Sequence, residues 1–123
     1  MLEFSELLPF VASTDLARAR QFYEGLLGLP VSRDRRSACD FSAGGTILRV
    51  TLVEHHEPHP TPLLGWAVPD INSTVRTLAA HGLAFERYEH LDQDEWGISE
   101  ALDGSQQAWF KDPDGNLLFL TQE

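Results

Sequence analysis

The chain states one pattern twice. Residues 11–29 read VASTDLARARQFYEGLLGL, and residues 66–83 read WAVPDINSTVRTLAAHGL. Each copy is a short apolar strand, then Asp-Leu or Asp-Ile opening an amphipathic helix, then a stopping glycine and a β-like segment. The two capping positions, Asp15 and Asp70, stand 55 residues apart, a period long enough for a whole βαβββ module. A unit of that size is too small to bury a deep core alone, so the two copies are expected to pack together.

Local patterning fills in each copy. Residues 7–12 are apolar and end at Ser13-Thr14-Asp15, whose side chains can accept bonds from the free N–H groups of a helix start. Leu16, Ala19, Phe22, Tyr23, Leu26 and Leu27 then recur at three- and four-residue spacing, which predicts one buried helical stripe stopped by Gly28 and Pro30. β-like stretches follow around Val31, over 38–42 and over 46–53, with Gly44-Gly45 as the hairpin turn. Residues 54–62, EHHEPHPTP, read as a connection. The second copy predicts a strand over 63–68, a helix carrying Ile71, Val75, Leu78 and Ala79 on one face, and a strand over 83–88. It closes with strands 106–111 and 117–122 flanking Asp112-Pro113-Asp114-Gly115-Asn116, a tight antiparallel reversal.

Composition narrows the function classes. A formal net charge of −10 argues against nucleic acid, whose phosphates would be repelled. The acidic residues crowd into 86–103, ERYEHLDQDEWGISEALD, either a charged rim or lid over a pocket or a solvated loop. No apolar run approaches the ~18 residues of a membrane span. The opening MLEFSELL has no basic or apolar signal-like region, and Cys39 is the only cysteine, so a cytoplasmic protein is expected.

The helix DLARARQFYEGLLGL and the closing WFKDPDGNLLFLTQE lie in order and about 80 residues apart. Together with the repeated module they resemble the vicinal oxygen chelate superfamily, which includes glyoxalase I, bleomycin-resistance proteins and extradiol dioxygenases. The resemblance implies an α+β fold, two βαβββ modules forming curled mixed sheets around a cleft. It would be a single domain over 1–123 with modules at about 5–57 and 60–122, and it implies a homodimer. Metal-using members place His, Gln or Glu at matched strand positions of both modules. Carried onto this chain those positions are Leu8, Leu63, Phe119, and a fourth near Arg49 or Thr51. Leu and Phe offer a divalent ion no donor, so no metal and no cofactor are expected.

Strand alternation assigns these positions to the cleft wall. Leu8, Phe10 and Ala12, then Leu63, Gly65 and Ala67, then Leu117 and Phe119 face inward, with Trp109 opposite Phe119. The cleft so lined is apolar and aromatic, with Arg49 as its charge, which suits a flat organic ligand. The other parity puts Trp66 in the core. His55, His56 and His59 sit in the proline-broken connection with no spacing that forces convergence. His56 resembles a histidine of the non-metal branch at the cleft edge, and Tyr88 precedes the acidic loop. The expected ligand-binding set is Leu8, Phe10, Arg49, Thr51, His56, Leu63, Tyr88, Trp109 and Phe119. Besides a purely structural dimer whose clefts are filled by side chains, two function classes stay open. One is a metal-free small-molecule-binding protein of the bleomycin-resistance type. The other is a glyoxalase-like lyase, isomerase or dioxygenase, either with a metal displaced to Glu54, His55, His56 or His59 or with His56 and Tyr88 moving protons. The acidic balance favours a cationic ligand and Arg49 an anionic one.

Overall fold

A computed structural model describes all 123 residues. They divide into two compact units, Met1–Glu57 and Pro58–Glu123. Each is a four-stranded mixed sheet with one helical segment, an α+β architecture. No helix is long and apolar enough to cross a membrane.

In the first unit β1 (Phe10–Ser13), β2 (Val31–Asp34), β3 (Ala38–Ala43) and β4 (Thr46–Leu52) form a sheet ordered β1-β4-β3-β2. β1 runs parallel to β4, and Gly44-Gly45, both with positive φ, turn β3 into antiparallel β4. The alternation is clean on β1, where Val11 and Ser13 are buried while Phe10 is exposed. Val11, Cys39, Phe41, Leu48 and Val50 pack with Ala19, Phe22 and Tyr23, and the Tyr23 and Phe41 rings meet at 5.5 Å.

The first helix departs from the expected single α-helix. Asp15 accepts from the Arg18 N–H and opens α1 (Leu16–Arg20), but residues Gln21–Leu26 continue as a π-helix, with the Leu27 N–H donating to the Phe22 carbonyl. A π-turn carries more residues per turn than an α-turn, so side chains beyond it rotate away from the α-helical stripe. Phe22 and Tyr23 are buried, whereas Leu26 and Leu27 are only half-buried.

The second unit repeats the topology with β5 (Leu64–Ala67), α2 (Ile71–Ala80), β6 (Ser99–Glu100), β7 (Gln106–Lys111) and β8 (Leu117–Gln122), ordered β5-β8-β7-β6. Asp70 caps α2 by accepting from the Ser73 N–H at 3.1 Å, and Ile71 and Val75 are its buried face. The strand expected over 83–88 does not form. Phe85 makes a single bridge to Phe110, the Glu86 N–H donates to the Trp109 carbonyl, and the edge position beside β7 is completed by β6. One edge is thus shared by two fragments, because the acidic segment between them leaves the sheet and returns. Trp66 is also not core: β5 is an edge strand, and the indole is half-buried, stacked on Phe110 at 6.2 Å.

Candidate functional site

The expected binding residues divide between the two units. On the first unit, β4 aligns Arg49 with Phe10 of β1 and Asp40 of β3, so the three side chains lie in one row on the face opposite the helix. Thr51 stands two residues along, between Ala12 and Ala38. Asp40 is 5% exposed. Arg49 donates Nε to Oδ1 at 2.9 Å and Nη2 to Oδ2 at 3.1 Å, a bidentate pair. Arg35, from the β2–β3 turn, adds Nη2 contacts to the same two oxygens at 3.2 and 3.3 Å. The hydrogen bonds from Arg49, against the opposing effect of burial, hold the Asp40 carboxyl below the usual aspartate range, with help from the Arg35 charge. Arg49 is therefore a positioned guanidinium rather than an isolated cleft charge. Asp40 was accessible to sequence reasoning, since counting back from Gly44-Gly45 pairs 40 with 49; Arg35 carries no such signal.

On the second unit, Trp109 and Phe119 pair in register on β7 and β8, as alternation requires. Their roles differ. The Phe119 ring lies on Gly65 so closely that a Cβ there would stand 2.4 Å from Cε1 and Cζ. Trp109 instead walls a cavity of about 290 Å³ together with Tyr88, His90, Leu91, Leu117 and the Pro60-Thr61-Pro62 segment. The Tyr88 ring meets the indole edge-on at 5.9 Å, and the His90 ring lies 5.7 Å from Tyr88.

Gln93 positions Tyr88. Its Oε1 accepts from the Tyr88 N–H at 2.7 Å, while its Nε2 donates to the Glu86 and Gly97 carbonyls at 3.0 and 2.9 Å. Asp94 Oδ1 accepts from the Trp96 and Ile98 N–H groups, and Arg76 sits 5.3 Å from the Trp96 ring centre. The acidic segment is thus tied down by its own side chains. Burial, reinforced by the charge of Glu86, pushes the Tyr88 phenol up, so it stays a neutral donor at physiological pH. His90, Leu91 and the proline segment carried no recognisable sequence signal because they arrive on loops.

The remaining expected residues do not join either group. Leu8 and Leu63 lie just before β1 and β5 and are exposed, and the Leu63 N–H donates to the Leu117 carbonyl. His56 is half-buried after β4. His59 Nδ1 lies 2.8 Å from the Thr61 hydroxyl. No group of three or more His, Cys, Asp or Glu side chains is placed to hold a metal ion. At the positions that correspond to the superfamily's metal ligands stand two leucines, a phenylalanine packed on glycine, and either a guanidinium already bonded to a carboxylate or the lone hydroxyl of Thr51. This donor set does not fit a divalent cation.

The sequence profile of the Glyoxalase/Bleomycin resistance protein/Dioxygenase superfamily matches residues 7–120. The chain belongs to this superfamily. Among solved structures, a superfamily member from Sphaerobacter thermophilus superposes with a TM-score of 0.75 at 20% identity, covering 100% of both chains. A lactoylglutathione lyase from Agrobacterium tumefaciens gives 0.74 at 15% identity, covering 97% of this chain and 93% of that one. A glyoxalase/bleomycin resistance protein/dioxygenase from Alicyclobacillus acidocaldarius gives 0.73 at 18%, covering 97% and 91%. Identities this low establish the glyoxalase fold and nothing finer. No curated protein matches the chain in sequence.

Proposed function

We propose that this superfamily member is a metal-independent small-molecule-binding protein whose ligand is a flat organic molecule seated in the Tyr88–Trp109 cavity. The observation that carries this reading is the edge-on Tyr88–Trp109 pair walling an apolar cavity of about 290 Å³. That volume lies at the small end for ligand pockets and suits on the order of one substituted ring. The indole face and the pocket prolines supply apolar contact, and the Tyr88 hydroxyl, His90 and Thr61 supply polar handles. The second unit holds eleven of the nineteen acidic residues and three of the nine basic ones. Its field therefore favours a cationic ring over an anionic one.

The test is a thermal-shift and calorimetric screen of aromatic amines and quaternary ammonium compounds, followed by Trp109→Leu. Binding that stabilises the native chain and weakens about tenfold in the variant supports the reading. No stabilisation by any such compound at millimolar concentration overturns it. A homodimer is part of the same proposal. The exposed side chains of Leu7, Leu8 and Leu63 are apolar surface of the kind that association covers.

A further inference from the structure

The first unit carries a second arrangement that the aromatic cavity does not use. Asp40 is buried and receives N–H groups from two guanidiniums, so one carboxylate faces two permanent positive charges. Its two oxygens are saturated by four contacts of 2.9–3.3 Å. The surplus is therefore entirely cationic and entirely on the donors. Arg35 Nε is buried without an acceptor, and Arg49 spends Nε and Nη2 on Asp40, which leaves Nη1 for another acceptor on a side chain 32% exposed. In a chain of net charge −10, the ion pairs of these two arginines go to the one carboxylate of Asp40, two positive charges to one negative. Arg33, in register with Asp40, and Arg36 are exposed beside it.

The neighbour in the same row is Phe10, aligned with Arg49 across β1 and β4 and 69% exposed. Ala12, Thr51 and Ala38 form the next row of the same face, all with small side chains. We propose that this row is an anion-binding site for a planar aromatic carboxylate, the carboxylate taking the open edge of Arg49 and the ring lying against Phe10. A guanidinium held flat by Asp40 needs no reordering to accept a second carboxylate, which makes the fork pre-organised. The site is independent of the Tyr88–Trp109 reading and stands or falls by its own residues.

The probe is benzoate, titrated into the whole chain at low ionic strength by amide NMR, with acetate as the ringless control. The expected result is saturable benzoate binding centred on residues of β1 and β4, several-fold tighter than acetate. The paired change Asp40→Asn with Arg49→Gln keeps a neutral hydrogen-bonded pair in place of the ionic one, and it should weaken benzoate about tenfold. Phe10→Ala, at an exposed position, should bring benzoate down to the acetate level, and it reports even if the paired variant fails to fold. Trp109→Leu should leave benzoate affinity unchanged. Equal affinities for benzoate and acetate, no saturation at millimolar concentration, unchanged binding in Phe10→Ala, or loss in Trp109→Leu would each overturn the proposal.

Discussion

Asp40 is a carboxylate in a place that only its partners make tolerable. Buried ionised groups are costly unless paired and hydrogen-bonded, and Arg49 and Arg35 supply both. The consequence is a pH dependence of known sign. Because its folded value is depressed, Asp40 contributes stability that is fully present above the ordinary aspartate value of about 3.9 and is lost as pH falls through the lower folded value. Asp40→Asn should therefore lower the urea midpoint at pH 7, and the gap between wild type and variant should narrow below about pH 4. A gap constant with pH would mean that the two arginines do not stabilise the charge. Cys39 shows the opposite case: burial raises its thiol, so the sole cysteine is kept neutral, consistent with a packing role.

At the scale of elements, the two sheets share a topology but present different side chains. β4 presents a charged row, whereas β5 and β8 bring Gly65 beneath the Phe119 ring. A glycine on β5 is what lets that aromatic lie flat on the strand. Gly65→Ala should cost about 1–3 kcal/mol by overpacking. Adding Phe119→Leu should recover part of it, as read by denaturation of the single and double variants. Equal stability of Gly65→Ala and wild type would show that the ring swings aside freely. The helix starts and the two hairpins were legible beforehand, since capping aspartates, glycine stops, the Gly44-Gly45 turn and the Asp112-Pro113-Asp114-Gly115-Asn116 turn act within a few residues of themselves. The π-turn after Arg20 and the lost strand over 83–88 were not. Both depend on how far a segment is pulled by tertiary packing rather than on its own periodicity.

For the whole molecule, the unequal division of charge is the main determinant of what it can attract. The first unit holds six of the nine basic residues and eight of the nineteen acidic ones, while the second is strongly acidic. Under the two proposals, the conflict between a cationic and an anionic ligand resolves into an aromatic cavity on the acidic unit and an arginine row on the other. Two whole-chain measurements follow from the same side chains. Metal analysis of untagged protein should find no stoichiometric Zn, Fe, Mn or Ni and no uptake on titration, because the aligned positions lack donors; about one ion per chain would overturn metal independence. Sedimentation equilibrium should give twice the chain mass of 13.8 kDa, and a monomer at all concentrations would remove the dimer.

The sequence by itself determined the duplicated module, the helix starts at Asp15 and Asp70, the hairpins and the superfamily. Each of these is written in short-range chemistry: hydrophobic period, cap residues and turn residues. Strand register went further, placing Trp109 opposite Phe119 and making Asp40 recoverable as the partner of Arg49. Only the tertiary structure decided which inward residues line a cavity. It laid Phe119 on Gly65, brought Tyr88 against Trp109 through Gln93, and delivered Arg35 to a carboxylate already held by Arg49. Those outcomes depend on loops whose paths follow from side-chain hydrogen bonds and packing between distant segments, and such contacts leave no period in the chain.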